Sequence, residues 1–195
     1  MPDSPEVVRS KATLRTRLLA RRAARPPAER QAAAASLARA LREHLTGAAV
    51  VAAYVPAPGS SGADRLPGAI AAVVDRLLLP VVPATGRELG WAVATGPLHP
   101  GRFGLLEPPG PRLPPAELGT ATVVVVPALA VARDGTRLGR GGGYYDRALA
   151  HAGPGAQLVA AVFDDELLDE LPAGEHDRPV TAVVTPGGGW RQLAG

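Results

Sequence analysis

Thr122-Val-Val-Val-Val-Pro-Ala-Leu-Ala-Val-Ala-Arg-Asp-Gly-Thr-Arg-Leu-Gly-Arg-Gly-Gly-Gly-Tyr-Tyr-Asp-Arg147 decides how this chain is to be read. Its first part, Thr122–Pro127, is apolar without interruption, as a parallel strand covered on both faces should be. Its last part, Arg137–Arg147, holds glycine at 139, 141, 142 and 143, with Arg137 and Arg140 among them. A glycine run lets the backbone take positive φ and come close to a ligand. Successive N–H groups in such a turn converge on an anion. Tyr144-Tyr-Asp-Arg-Ala-Leu-Ala150 reads as a helix start behind the loop, continuing to about Ala152, and its first N–H groups point the same way. Two guanidiniums add bidentate phosphate contacts, and Asp146 offers a hard oxygen that suits magnesium. In open α/β sheets ligands bind beyond the carboxyl ends of strands, which is where this loop falls. The residues thus describe a site for a phosphate-bearing nucleotide with its metal. A structural turn is the competing reading, since glycine-rich turns before helices are common and the chain holds 23 glycines. The loop is neither a Walker A motif nor a dinucleotide fingerprint.

Working outward, helical spacing runs from about Glu6 to Arg25 and ends at Pro26-Pro27. A second, Ala-rich helix starts at Pro27 and reaches about Leu45. Ala49–Val55 reads as a buried strand, Pro56–Gly62 as a loop, and Asp64–Arg76 as a helix weakened by Pro67 and Gly68. Strands follow at Leu77–Val82 and Glu88–Ala94. Pro97–Pro115 carries seven prolines and reads as a long surface loop. Beyond the glycine loop come a strand at Leu158–Phe163, a short helix at Asp165–Glu170 and a strand at Val180–Val184. The tail from Gly187 is expected to fray. Strands alternating with helices give an α/β class with a largely parallel sheet.

Composition closes off several functions. At 195 residues and 46% apolar the chain suits one globular domain rather than disorder. It has no cysteine, which excludes disulfides, thiolate metal sites and cysteine nucleophiles. No apolar run has bilayer length and no secretory h-region is visible, so a soluble cytoplasmic protein is expected. The pI near 9.9 comes from 20 arginines against one lysine, a bias that a GC-rich coding sequence produces. Aromatics make up 4% and do not interleave with the arginines, so no stacking surface for nucleic acid is present. The basic stretch Arg9–Arg30 imitates a transit peptide but is better read as a solvated helix face.

The lone lysine, Lys11, draws attention in such a chain. Its compact charge follows a moving phosphoryl group better than a planar fork does, although on composition alone an exposed helix face is the commoner account. Lys11 and Arg15 stand at i, i+4 and share one face.

Arg137-Leu-Gly-Arg-Gly-Gly-Gly-Tyr-Tyr-Asp146 resembles the signature of the 5-formyltetrahydrofolate cyclo-ligase (methenyltetrahydrofolate synthetase) family, Arg-Leu-Gly-x-Gly-x-Gly-Tyr-Tyr-Asp, at every fixed position. Lys11-Ala-Thr-Leu-Arg15 is similar to the family's opening Lys-x-x-Leu-Arg. The resemblance extends from Lys11 to about Val184. It implies a single three-layer α/β domain with a largely parallel sheet, of the NagB/RpiA/CoA-transferase-like kind. It implies that Lys11, Arg15, Arg137, Leu138, Gly139, Arg140, Gly141, Gly142, Gly143, Tyr144 and Tyr145 bind ATP. It implies a folate side made of Tyr54, Val55, Ser60 and Phe103 together with Arg140, Gly141, Gly142, Gly143 and Tyr144. Phe103 comes from Gly101-Arg-Phe-Gly-Leu-Leu-Glu-Pro108, which matches the family's substrate-side segment. It implies that Asp146 and Asp177, the latter within Glu175-His-Asp-Arg-Pro179, hold Mg2+. Taken alone, Asp177 is a turn residue before Arg178-Pro179, and His176 is assigned no role. No side chain is assigned as a catalytic acid or base.

The implied reaction joins formyl chemistry to ATP. The N5-formyl oxygen of 5-formyltetrahydrofolate attacks the γ-phosphorus, N10 attacks the activated formyl carbon, and phosphate leaves to give 5,10-methenyltetrahydrofolate. One departure stands out. After the first strand the family carries a folate-contacting Glu with Thr three residues on. Here an ungapped match puts Ser60 and Ala63 there, a gapped one Gly62 and Arg65, and Asp64 falls out of register. Losing that acceptor leaves pterin donors unpaired at a cost of about 1–3 kcal/mol. The nucleotide half therefore reads as intact and the folate half as altered. This leaves room for a paralogue that activates a different formyl or amide substrate, or for a non-catalytic nucleotide- or folate-binding protein. An RNA-binding module is the remotest reading, with no reader motif behind it. The oligomeric state is not legible.

Overall fold

The computed structural model describes residues 4–57, 65–172, 174 and 178–193. Helix α1 spans Pro5–Ala24; the Ser4 hydroxyl accepts from the Val7 N–H at 3.3 Å and Pro5 opens the first turn. It ends because Arg25 precedes a proline, which forces extended backbone. Helix α2 spans Pro27–Leu45 and turns Leu37, Leu41 and Leu45 fully inward.

Strand β1 is Val50–Ala53. Helix α3 is confined to Leu66–Ala71, much shorter than the expected Asp64–Arg76. Pro67 does not weaken it from within but sits in its first turn, where a missing N–H costs nothing. Strands β2 (Arg76–Val81) and β3 (Gly90–Val93) follow. The proline-rich stretch holds a small antiparallel ribbon, β4 (His99–Pro100) with β5 (Leu106–Glu107). Strand β6 is Val123–Pro127.

Two short strands then intervene before the glycine loop, β7 (Ala130–Ala132) and β8 (Arg137–Leu138). The loop therefore leaves β8, not β6. Helix α4 covers only Tyr144–Ala148 and passes into a 3-10 turn at Leu149–His151. Strand β9 is Gln157–Ala161. The expected helix at Asp165–Glu170 is instead a 3-10 turn, Asp164–Glu166, running into strand β10, Leu167–Leu168. Strand β11 is Ala182–Thr185. The tail from Gly187 does not fray over its described part: Gly189–Gln192 forms β12, antiparallel to β11. Trp190 of that strand stacks on His44 of α2, with centroids 4.6 Å apart.

The main sheet has the order β12-β11-β9-β6-β1-β2-β3, parallel except at its two edge strands. Alternation along each strand assigns residues to two faces. Val51, Leu77, Leu79, Val125, Val159 and Val184 pack with Leu37, Leu41, Leu66 and Ile70 of α2 and α3. Ala52, Leu78, Val124, Val126, Leu158 and Val183 pack with Trp91, Leu118, Ala148 and Leu149 on the other side. A smaller sheet, β10-β7-β8, stands apart and carries α1, whose Leu14 and Leu18 meet Leu129, Ala130, Leu138 and Leu168.

Candidate functional site

The carboxyl ends of β1, β2 and β6 open into one cleft of about 370 Å³. Tyr54 and Val55 continue β1 into it, Val82 continues β2, and Pro127 and Ala128 close β6. The glycine loop forms the opposite wall with Gly139, Arg140, Gly141, Gly142 and Gly143, and Tyr144, Tyr145 and Asp146 follow. Two of these glycines are obligatory for the path of the chain: Gly141 has φ +92° and Gly143 φ +70°, conformations that an L side chain resists. With only five α-helical residues behind it, the loop gains little from a helix dipole.

Helix α1 reaches the loop from below. Arg15 donates through Nε to the Gly139 carbonyl at 2.9 Å, and its guanidinium lies against Gly141. Lys11, one turn earlier on the same face, is buried. Lys11, Arg15, Leu18 and Arg22 follow each other at i, i+4, i+7 and i+11, one stripe of the helix. Arg22, which sequence reasoning passed over, is buried and lines the cleft. It grips both oxygens of Glu166 at 2.7 Å and also donates to the Ala128 carbonyl at 2.8 Å. Its place in the Lys11–Arg15 stripe was the sequence signal for it.

Arg137 and Asp146, assigned separately from the sequence, face each other. Arg137 Nη2 donates to Asp146 Oδ1 at 2.6 Å, and Nη1 donates to the Pro127 carbonyl at 3.2 Å. The arginine is buried, whereas the aspartate side chain is 47% exposed. Asp146 lines the cleft, and its second oxygen is not engaged by Arg137. Arg140 is exposed and makes no hydrogen bond or ion pair among the described residues, so it is a cation at liberty to meet an anionic ligand. Arg147 returns to the Gly143 carbonyl at 3.0 Å, and the Arg87 guanidinium lies near the same glycine. Neither arginine was expected at the loop.

The remaining wall comes from the ribbon. Phe103 is 73% exposed, has φ +57° and lines the cleft with Leu105. Glu107 holds this ribbon to the end of β2, where its Oε1 accepts the Val82 N–H at 2.9 Å. Tyr54 is buried at the base, and burial drives the Tyr145 hydroxyl well above the ordinary tyrosine range, with Tyr54 reinforcing and Arg137 opposing the shift. Leu138 packs in the small core instead of lining the cleft. Ser60 and Asp177, with Gly62, Ala63, Asp64 and His176, lie outside the described residues. Among the described residues no cluster of three acids or histidines could hold a metal alone. A magnesium ion carried on a nucleotide needs no such cluster, since one or two carboxylates suffice beside the phosphates. Asp146 meets that requirement. No helix among the described residues is long and apolar enough to cross a membrane.

Residues 7–186 match the 5-formyltetrahydrofolate cyclo-ligase family. A 5-formyltetrahydrofolate cyclo-ligase of Mycolicibacterium smegmatis is 45% identical over 187 residues, 91% of this chain and 94% of that protein. One of Escherichia coli is 40% identical over 74 residues, 37% of this chain and 41% of that protein. Among solved structures, the Aquifex aeolicus 5,10-methenyltetrahydrofolate synthetase aligns with a TM-score of 0.73 at 28% identity, covering 95% of this chain and 93% of that one. The synthetase from Mycoplasma pneumoniae, at 20% identity, shares the fold with a TM-score of 0.69 over 89% of this chain and 96% of that one.

Proposed function

The chain belongs to the 5-formyltetrahydrofolate cyclo-ligase family, and from that premise we propose that its cleft joins a nucleotide to a reduced folate. The enzyme converts 5-formyltetrahydrofolate to 5,10-methenyltetrahydrofolate. The observation that carries the nucleotide part is the convergence of Arg15, Arg137 and Arg140 on a glycine loop at strand ends, with a half-open carboxylate beside them.

ATP enters as co-substrate. Arg140 meets its phosphates directly. Arg15 holds the loop in shape through Gly139 and lends its charge from beneath Gly141. Lys11 extends the same stripe. Asp146, with Asp177 outside the described residues, would hold Mg2+, which neutralises phosphate charge when bound. Tyr54, Val55 and Phe103 form the folate wall opposite. The formyl oxygen attacks the γ-phosphorus and ADP departs; N10 then attacks the formyl carbon and phosphate carries the oxygen away. The chain's own work is to orient two substrates, offset charge and exclude water. In this reading the protein acts in the cytoplasm on small molecules, with no nucleic-acid or membrane partner. The segment around Ser60 lacks the family's glutamate, so this chain relies on other groups for that pterin contact.

The test is turnover of 5-formyltetrahydrofolate with ATP and magnesium, each omitted in turn. Production of the methenyl compound that needs all three is the expected result. Turnover without ATP would end the nucleotide assignment. ATP hydrolysis with a different formyl compound alone would favour the paralogue.

A further inference from the structure

The ribbon formed by β4 and β5 is too small to hold itself. It pairs His99 with Glu107 and Pro100 with Leu106, and an isolated hairpin is marginal even at greater length. Two side chains hydrogen-bond it to the segment that leaves β2. Arg102 Nη1 donates to the Ala84 carbonyl at 2.7 Å from an exposed position, where water competes for the contact. Glu107 is buried, and its Oε1 accepts the Val82 N–H at 2.9 Å. A charge-assisted bond in such a place is the stronger tie. Without it the buried Val82 donor would lose its partner just past the last residue of β2.

Gly101 shows that the chain makes room for this carboxylate. Its backbone is extended, with φ −113° and ψ −157°, so no torsion calls for glycine there. A Cβ at that position would lie 2.5 Å from both Cγ and Cδ of Glu107. Space for the Glu107 side chain is what the glycine provides. The Gly101 N–H also donates to the Leu105 carbonyl at 2.7 Å, which closes the tip of the ribbon. On that tip stands Phe103, which lines the cleft and is the one non-glycine residue with positive φ among those described. Such a backbone persists only where its surroundings over-determine it. Glu107 itself does not line the cleft.

We propose that Glu107 is a positioning residue for the folate: by tying the base of the ribbon to the end of β2 it fixes the place and the backbone of Phe103, and so sets affinity on the folate wall without touching the ligand. The inference rests on the cyclo-ligase reading, in which Phe103 faces the folate, and adds a residue that acts only through another. The glycine loop and α1 belong to the other wall, so nucleotide affinity should not follow a change at Glu107.

Three variants test this. Glu107→Ala removes the tie, Glu107→Gln keeps an oxygen for the Val82 N–H, and Gly101→Ala pushes the carboxylate aside while leaving it in the chain. KM for 5-formyltetrahydrofolate should rise about fivefold to thirtyfold in Glu107→Ala and in Gly101→Ala, with KM for ATP within about twofold of wild type. Glu107→Gln should recover most of the loss. The double variant should be no worse than either single one, because both act on one contact. Amide exchange at Val82, measured without ligand, should quicken about tenfold or more in Glu107→Ala and stay slow in Glu107→Gln. Equal rises in both KM values, or a lowered Tm with the folate KM unchanged, would make Glu107 a residue of the fold only and overturn the proposal. So would a Glu107→Gln protein as impaired as Glu107→Ala, since the charge and not the bond would then matter. If Glu107→Ala does not fold, Gly101→Ala and Glu107→Gln decide by the same readings. A wild type that turns over no folate defeats the cyclo-ligase reading and the proposal with it, whereas Val82 exchange that Glu107→Ala leaves unchanged defeats the proposal alone.

Discussion

Two arginine–carboxylate pairs brace the cleft, and they differ in one respect. Arg22–Glu166 and Arg137–Asp146 have closest contacts of 2.7 and 2.6 Å, and each arginine side chain is 5% exposed. Glu166, however, is 2% exposed and Asp146 47%. Glu166 spends both oxygens on Arg22, one of them also taking the Phe163 N–H. Asp146, which lines the cleft, spends one oxygen on Arg137 and leaves the other unengaged by it. The same chemistry thus yields a rivet in one place and a ligand-ready carboxylate in the other. What separates them is how far the acid is withdrawn from solvent.

The largest effect should follow from breaking the rivet. Glu166→Gln leaves the Arg22 charge buried without its counter-charge, and loss of one partner from a buried pair costs about 3–5 kcal/mol. Thermal and denaturant unfolding should show a clear loss of stability. Replacing both Arg22 and Glu166 by apolar residues of similar volume should recover most of it. A Glu166→Gln protein as stable as wild type would remove the distinction between the two pairs.

Asp146→Asn should invert the pattern, with little lost in stability and much in activity. Arg137 loses its counter-charge as Arg22 does in Glu166→Gln, but water reaches the half-exposed Asp146 position, and the Pro127 carbonyl and an asparagine oxygen remain, so unfolding should shift by about 1–2 kcal/mol, less than for Glu166→Gln. A neutral amide is a poor ligand for a hard dication, and the magnesium concentration for half-maximal rate should rise about tenfold or more. Unchanged magnesium dependence would make Asp146 a second rivet.

Lys11→Ala tests whether the α1 stripe has two functional ends. Arg22 anchors the helix near its C-terminus, and Arg15 meets the loop from its N-terminal half, with Lys11 one turn earlier on the same face. If Lys11 serves the phosphates as proposed, its loss should raise KM for ATP about tenfold, with KM for the folate unchanged. Equal changes in both constants would show that Lys11 only helps to seat the helix.

How much of this was legible follows from length. The main sheet announced itself through runs such as Val123–Val126, long enough to carry a pattern. The small sheet did not: β8 and β10 have two residues each and β7 has three, too short for any periodicity. Asp165–Glu170 reads as a short helix, yet the chain makes one 3-10 turn there and Glu166 turns inward to meet Arg22. Gly187–Gly189 suggested fraying, but the chain beyond pairs with β11 and Trp190 finds His44. The glycine loop was readable because its order of residues is specific. The pairing of its own Arg137 with Asp146 was not, since a tertiary contact leaves no trace in spacing.

Asp165 supplies the smallest and sharpest test, because it neighbours Glu166 in sequence and also binds arginine. It contacts Arg21 and Arg25 at the surface, with side chains 38% exposed for the acid and 48% and 15% for the arginines. Water and salt screen such pairs, so Asp165→Asn should cost about 0.5 kcal/mol and still less at high ionic strength. Arg25 also keeps its place over the Phe163 ring, 4.1 Å from the centroid, a contact that does not need the carboxylate. Two adjacent acids on one turn would then differ severalfold in their effect on unfolding. A loss for Asp165→Asn as large as that for Glu166→Gln would mean that α1 is held by the charge of the whole 164–166 turn, and that burial of a single carboxylate is not what makes the rivet.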